Sequence, residues 1–270
     1  MLQHSRWAVI GLAVVFPCVF ALGAPAHLSS EEIAAAVKTD AMTIPTPGEL
    51  LAAINKQGKP NWQAQYRPPV PTNFTSRPQL ALNLGGLIAD GYIAVEAEDR
   101  QQVKNIAHDV VALAKALGVS QNVLGRGSSI SEFAENEEWS ALKEELEATQ
   151  NEVKTAMEEQ HDGELVIIVS LGGWIRGTEV ISSWVSQNYT PQTAKLLRQP
   201  ALVAFLRSKL GGVTQKTQDD PLIASVRKHL DTIEELVSFP RDKSPDLEHV
   251  NRLKADSSEL VAEISSKPAK

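Results

Sequence analysis

Cysteine is almost missing from this chain: Cys18 is the only one in 270 residues. Its absence downstream excludes a disulfide framework, a thiolate nucleophile, cysteine-bound zinc and a Cys-x-x-Cys-His haem attachment there. Positive charge is also scarce, with 26 Lys and Arg against 33 Asp and Glu and a formal net charge of −7. An acidic chain is a poor partner for nucleic acid or an anionic membrane. Aromatic residues make up only 5%, while leucine, alanine, glutamate and valine are abundant, which suits helices. No period-two alternation marks a strand ladder, no fixed repeat marks a solenoid, and Gly-x-Ser-x-Gly does not occur.

The first 26 residues have the layout of a secretory signal peptide. Arg6 supplies the positive region, residues 7–22 are apolar, and Ala24-Pro25-Ala26 fits a small-x-small cleavage site. Cys18 follows Val15-Phe16-Pro17, which lacks the small residue a lipoprotein signal needs. Cleavage after Ala26 leaves 244 of the 270 residues and moves the charge from −7 to −8, since Arg6 is the only ionised side chain removed. The expected location is periplasmic or secreted, with an uncleaved N-terminal anchor as the alternative. The remaining length suffices for one large or two small cores.

The stretch 163–188, GELVIIVSLGGWIRGTEVISSWVSQN, is apolar around most of its circumference. As a strand, 165–170 has the β-branched run and Gly-Gly supplies a turn. As a membrane span it is long enough, but Arg176 and Glu179 fall well inside it, where charge is strongly disfavoured. As a helix, Ile167, Leu171, Trp174, Ile181 and Val185 form one stripe, and Val166, Gly173, Gly177, Val180 and Trp184 form another. A helix apolar on two faces belongs in a core. Interior glycines cost about 1 kcal/mol each against alanine, while burying one large apolar side chain contributes about 1.5–3 kcal/mol. The balance favours a buried helix. Leu84-Gly85-Gly86-Leu87-Ile88 echoes Leu171-Gly172-Gly173-Trp174-Ile175, so a second buried helix is expected over 79–97.

Short N-terminal helices are expected across 27–58. Ser29-Ser30-Glu31-Glu32 is a capping box before 33–38, and Thr46-Pro47-Gly48-Glu49 is another. Residues 59–78 carry five prolines and read as an extended arm. Trp62 and Tyr66, with Phe74, either dock a partner or fill grooves on their own domain, and loops more often do the latter. A helical domain follows over 79–264. Asp99 caps a helix that Gly118 ends, 120–124 is about one turn, and 125–129 is a loop. One acidic helix is expected over 131–161, with eleven acids from Glu132 to Asp162 facing Lys143 and Lys154, and it should fold back on the central helix. Pro191, Pro221 and Pro245 mark later helix starts and Pro200 an interruption. Residues 265–270 form a frayed tail.

No residue set specifies a catalytic or metal centre, and no cofactor motif appears. Glu158-x-x-His161 and Asp246-x-x-His249 resemble half of a dinuclear carboxylate site, which needs four inward contributions. The Gly125-Arg126-Gly127-Ser128-Ser129 run lacks the phosphate-loop lysine and a preceding strand. The most unusual charges are Asp90, Arg176 and Glu179, each interrupting an apolar Gly-Gly helix. Buried charge needs a partner, so Asp90 and Arg176 are expected either to meet where the helices cross or to leave Arg176 paired with Glu179 along an edge.

The chain is therefore expected to be an all-α bundle of about eight helices around two buried Gly-Gly helices, with a proline-rich arm. Its expected role is that of an exported interaction or scaffold protein, partnered by another exported protein and not by nucleic acid. A small-ligand or metal-binding bundle is the alternative, and a hydrolase assembled from distant residues comes third. An interaction module predicts an exposed aromatic patch near Trp62 and Tyr66. A ligand-binding bundle predicts a pocket between the Gly-Gly helices.

Overall fold

The structure is a computed structural model that describes residues 44–119 and 125–267. The expected signal peptide, the capping box at 29–32 with its helix, the turn at 120–124 and the last three residues of the tail lie outside these.

Helix formation follows the caps. The first described helix, α1 (Pro47–Asn55), starts from a complete capping box: Glu49 N–H donates to Thr46 Oγ1 at 3.2 Å, and Thr46 N–H to Glu49 Oε2 at 2.7 Å. Ser76 caps α2 (Arg77–Glu96), with Pro78 tolerated in the first turn where no intrahelical N–H is required. Asp99 caps α3 (Arg100–Ala116), and Gly118 ends it at φ +86°, where Val119 N–H reaches back to Ala114 O at 3.0 Å.

The acidic segment holds two helices instead of the expected one, α4 (Arg126–Glu135) and α5 (Trp139–Glu159). Glu137 takes φ +59° between them, and Glu138 N–H closes the turn on Phe133 O at 2.9 Å. The break lets Ile130 and Ala134 of α4 face the same small core as Leu142 of α5. The predicted loop at 125–129 is the first turn of α4, held by Arg126 between Glu145 and Glu152 of α5.

His161, at φ +59°, then turns the chain into α6 (Gly163–Gln187). Residues 165–170, the alternative strand, are helical throughout. Pro200 opens α7 (Pro200–Gly211) instead of interrupting a longer helix. Asp220 caps α8 (Pro221–Val237), and α9 (Leu247–Ser265) begins two residues beyond Pro245, with Asp246 as its cap. Short helical turns at Pro191–Ala194 and Gln215–Gln218 fill the connections. The described residues are all-helical.

The bundle is organised on α2 and α6, which pack against each other more extensively than any other pair. A Cβ on Gly85 would lie 1.9 Å from Val169 O, and one on Gly172 would lie 2.1 Å from Leu82 O. The two backbones touch there, and only hydrogen fits. Gly173 borders the same crossing, its Cβ position 3.3 Å from Gly85 O and 3.2 Å from Pro47 of α1, whereas Gly177 faces Leu50 of α1.

α9 lies along α6, α8 packs on α9, and α3 covers the other side of α2. The end of α9 is held by side chains of α2. Gln79 Nε2 donates to Ser266 O at 2.7 Å, and Asn83 Nδ2 to Ile264 O at 2.7 Å. These bonds satisfy carbonyls that a helix end leaves open.

Among the described residues, α6 is the one helix long and apolar enough to cross a membrane, and 78% of its apolar window is covered by the rest of the chain.

Candidate functional site

The three charges that interrupt the Gly-Gly helices share one cluster. Arg176 Nε donates to Asp90 Oδ1 at 2.7 Å and Arg176 Nη1 to Glu179 Oε2 at 2.8 Å. Asp90 and Arg176 are buried, and Glu179 is half-buried. The fourth member is Arg67, from the proline-rich segment, whose Nε donates to Asp90 Oδ2 at 2.7 Å. Two guanidinium groups thus balance two carboxylates. Arg176 Nη2 also donates to the Gln65 carbonyl, and Arg67 Nη1 to Ser265 Oγ at 2.9 Å. Burial disfavours the charge on Arg176, but Asp90 and then Glu179 outweigh it and raise its pKa. Every charged group in the cluster has a partner, so its chemistry is that of a clamp between strap, crossing helices and α9.

The aromatic side chains of the strap face inward. Trp62 is 6% exposed and lies in the main core with Val70 and Phe74. Tyr66 is half-buried and donates to Asp99 Oδ2 at 3.3 Å, with burial and then the Asp99 charge raising its pKa. The exposed patch predicted around these two rings is therefore corrected: the strap needs its few aromatics to pin an extended backbone to the domain. Among the described residues, Leu247 is the one large exposed hydrophobic side chain.

Neither half of the dinuclear motif points into the bundle. His161 makes the α5–α6 turn, Asp246 caps α9 through His249 N–H at 2.8 Å, and the His249 ring meets Leu236 O. Among the described residues no group of three or more His, Cys, Asp or Glu is placed to hold a metal.

A polar cluster that the sequence did not reveal joins α8 and α9. His229 Nδ1 lies 3.0 Å from Asp256 Oδ1, and Ser225 Oγ donates to Glu263 Oε2 at 2.7 Å. Burial raises the pKa of Asp256 despite the opposing effect of His229, and Glu259 adds to the rise. A serine hydrolase requires its hydroxyl to donate to the histidine. Here the hydroxyl donates to a carboxylate.

Two cavities differ in character. A cleft of about 290 Å³ opens where α2, α6 and α8 begin. The protein's own groups satisfy it: Arg77 pairs with Asp162 at 2.7 Å, Ser76 donates to Asp220 at 2.8 Å, and Glu164 accepts from Thr217 at 2.6 Å and Thr214 N–H at 2.8 Å. Burial pushes the Glu164 pKa up, yet these bonds and the Arg77 charge bring it below its ordinary value.

The second cavity, of about 50 Å³, lies between α2, α3, α4 and α5. Leu87, Ile88, Val103, Ile106, Val110 and Val153 wall it, and Gly91, Ala107, Ala114 and Gly127 leave room. Its polar edge is Thr149 and Gln150, whose buried Oγ1 and Oε1 have no hydrogen-bond partner. Between the Gly-Gly helices the clefts at Gly85 and Gly173 and at Gly86 and Gly172 hold about 10 Å³ each, because the two backbones touch there, and the larger apolar chamber lies on the other side of α2. Sequence reasoning missed it, since its only signal is small residues facing one another across three helices.

No protein-family model, curated protein or solved structure matches this chain.

Proposed function

We propose that this is an exported binding protein, periplasmic or secreted, that takes the end of a small apolar molecule into the cavity between α2, α3, α4 and α5. The observation that carries the reading is an apolar chamber with two buried polar atoms left unpaired on one wall. Buried polar atoms are normally satisfied, and ligand sites combine apolar lining with a few polar groups that set orientation. At about 50 Å³ the chamber has roughly a third of the volume of an engineered dry cavity that admits benzene. It therefore suits an aliphatic chain end better than a ring. The leader-like first 26 residues support export.

The test is a titration of methyl-labelled protein with 1-hexanol, read by NMR. Saturable shifts at Val103, Ile106, Val110 and Val153, with Ile181 and Val185 of α6 unmoved, are the expected result. Uniform or unsaturable shifts would remove the reading.

A second reading, an interaction or scaffold protein for another exported protein, rests on α5. Glu144, Glu147, Glu158 and Glu159 are exposed there and make no ion pair within 4.0 Å among the described residues. Such a face attracts a basic partner. Retention of a basic secreted protein at low salt, lost in a variant with these four changed to Gln, is its test.

A further inference from the structure

Thr149, Gln150, Val153 and Lys154 occupy one face of α5, because residues three and four apart on a helix are neighbours. The first three line the apolar cavity. Lys154 and Gln150 line a small cleft beside it, shared with Ile88 and closed by Ile44, Pro45 and Pro47 where α1 begins. Gln150 and Ile88 belong to both spaces, so cleft and cavity adjoin across these two side chains.

Lys154 is half-buried and forms no hydrogen bond and no ion pair within 4.0 Å among the described residues. The ammonium group carries three donors, and burying it without a close anion is costly. Burial does lower its pKa, against Glu49 and Glu158, which act from farther off. Glu49 is committed to its capping box and Glu158 is exposed. An unpaired cation thus stands in the cleft next to an apolar chamber, with an unpaired hydroxyl and an unpaired amide on the chamber's near wall.

We propose that the ligand is an aliphatic monocarboxylate, its chain end in the α2–α5 cavity and its carboxylate on Lys154, with Thr149 and Gln150 alongside. This rests on the ligand-binding reading above and adds the chemistry of the head group. Thr149 donates through its hydroxyl. Gln150 donates through its amide, since the two ends of that group are interchangeable by a flip. Charge complementarity is what selects a carboxylate over an alcohol or an alkane.

The experiment compares hexanoate with 1-hexanol by calorimetry near neutral pH, on the purified chain and on Lys154→Met and Lys154→Gln. Both variants are first checked for an unchanged circular dichroism spectrum and melting profile. The wild type should prefer hexanoate by about tenfold, the scale of one charge-assisted hydrogen bond. Both variants should lose that preference while binding hexanol as before. Equal affinity for acid and alcohol in the wild type would overturn the head-group assignment and leave the cavity reading standing. Preference retained in both variants would overturn the role of Lys154. Failure to bind either compound would overturn the cavity reading itself, and the head-group assignment with it.

Discussion

Asp90 on α2 receives two guanidinium groups, Arg176 on Oδ1 and Arg67 on Oδ2, each at 2.7 Å. One carboxylate therefore ties the proline-rich segment to both crossing helices. Asp90→Asn leaves two arginines facing a neutral group in a buried site, and breaking such a pair typically costs about 3–5 kcal/mol. Arg67→Met should cost less, about 1–3 kcal/mol, and should loosen residues 59–76 specifically. Urea unfolding gives the first value, and limited proteolysis of the strap checks the second. A strap cleaved no faster in Arg67→Met would show that Trp62 and Phe74 hold it alone.

The close approach at Gly85 makes a sharper prediction. A methyl group there would sit 1.9 Å from the Val169 carbonyl oxygen, which is rigid helix backbone. Gly85→Ala must separate α2 from α6 and unpack the crossing, a loss of about 3 kcal/mol or more on the scale of overpacked cores. Gly163→Ala, with nothing within 4 Å of its Cβ position, should be neutral or stabilising by up to about 1 kcal/mol from helix propensity. Thermal melts of the two variants check the contrast.

What could be read beforehand follows from what leaves a periodic trace. The apolar circumference of 163–188 and its echo at 84–88 located both central helices, because burial on every side writes itself into each residue. Asp90, Arg176 and Glu179 stood out as charges within apolar runs. Arg67 did not, since an extended strap has no period and its partner is 23 residues away. A charge count offered the missing signal: Asp90 and Glu179 outnumber Arg176, and Arg67 is the only charged residue between Lys59 and Arg77. The break at 136–138 was hidden because Asn-Glu-Glu reads as helix surface, whereas Glu137 adopts a left-handed conformation so that α4 and α5 can share a core. The cavity was hidden for a different reason. It is a missing volume, and volume is set by four helices at once.

Glu164 contributes to the acid limb of stability. It sits in the first turn of α6 and accepts from Thr217, Thr214 N–H and Thr214 Oγ1, bridging the start of α6 to the turn at Gln215–Gln218. Its pKa is lowered in the folded state, so its contribution is present above the ordinary carboxylate range and is lost as pH falls through the folded value. Glu164→Gln should lose about 1–2 kcal/mol at pH 7. The deficit should shrink at acidic pH, as the wild-type carboxylate becomes protonated below its lowered folded-state value. Chemical denaturation at neutral and at acidic pH measures this, and a deficit equal at both would assign the loss to shape instead of charge.

Gly91→Ala tests the cavity from its α2 wall. Gly91 is buried mid-helix, and a Cβ there would sit 3.6 Å from Ile106 Cγ2, ordinary van der Waals contact. The methyl enters the space that the proposed ligand occupies, without displacing a neighbour. Two effects then act together. Replacing glycine inside a helix contributes about 1 kcal/mol, and filling void restores dispersion contacts that the lining lacks. The variant should melt higher than the wild type, by roughly 2–4 °C for a chain of this size. It should also bind 1-hexanol more weakly, by about tenfold, since one methylene-sized loss of room costs about 1 kcal/mol or more. The two readouts must move in opposite directions. A variant that is more stable yet binds hexanol as tightly as the wild type would place the ligand outside this chamber, because a site there cannot gain a methyl group and keep its affinity.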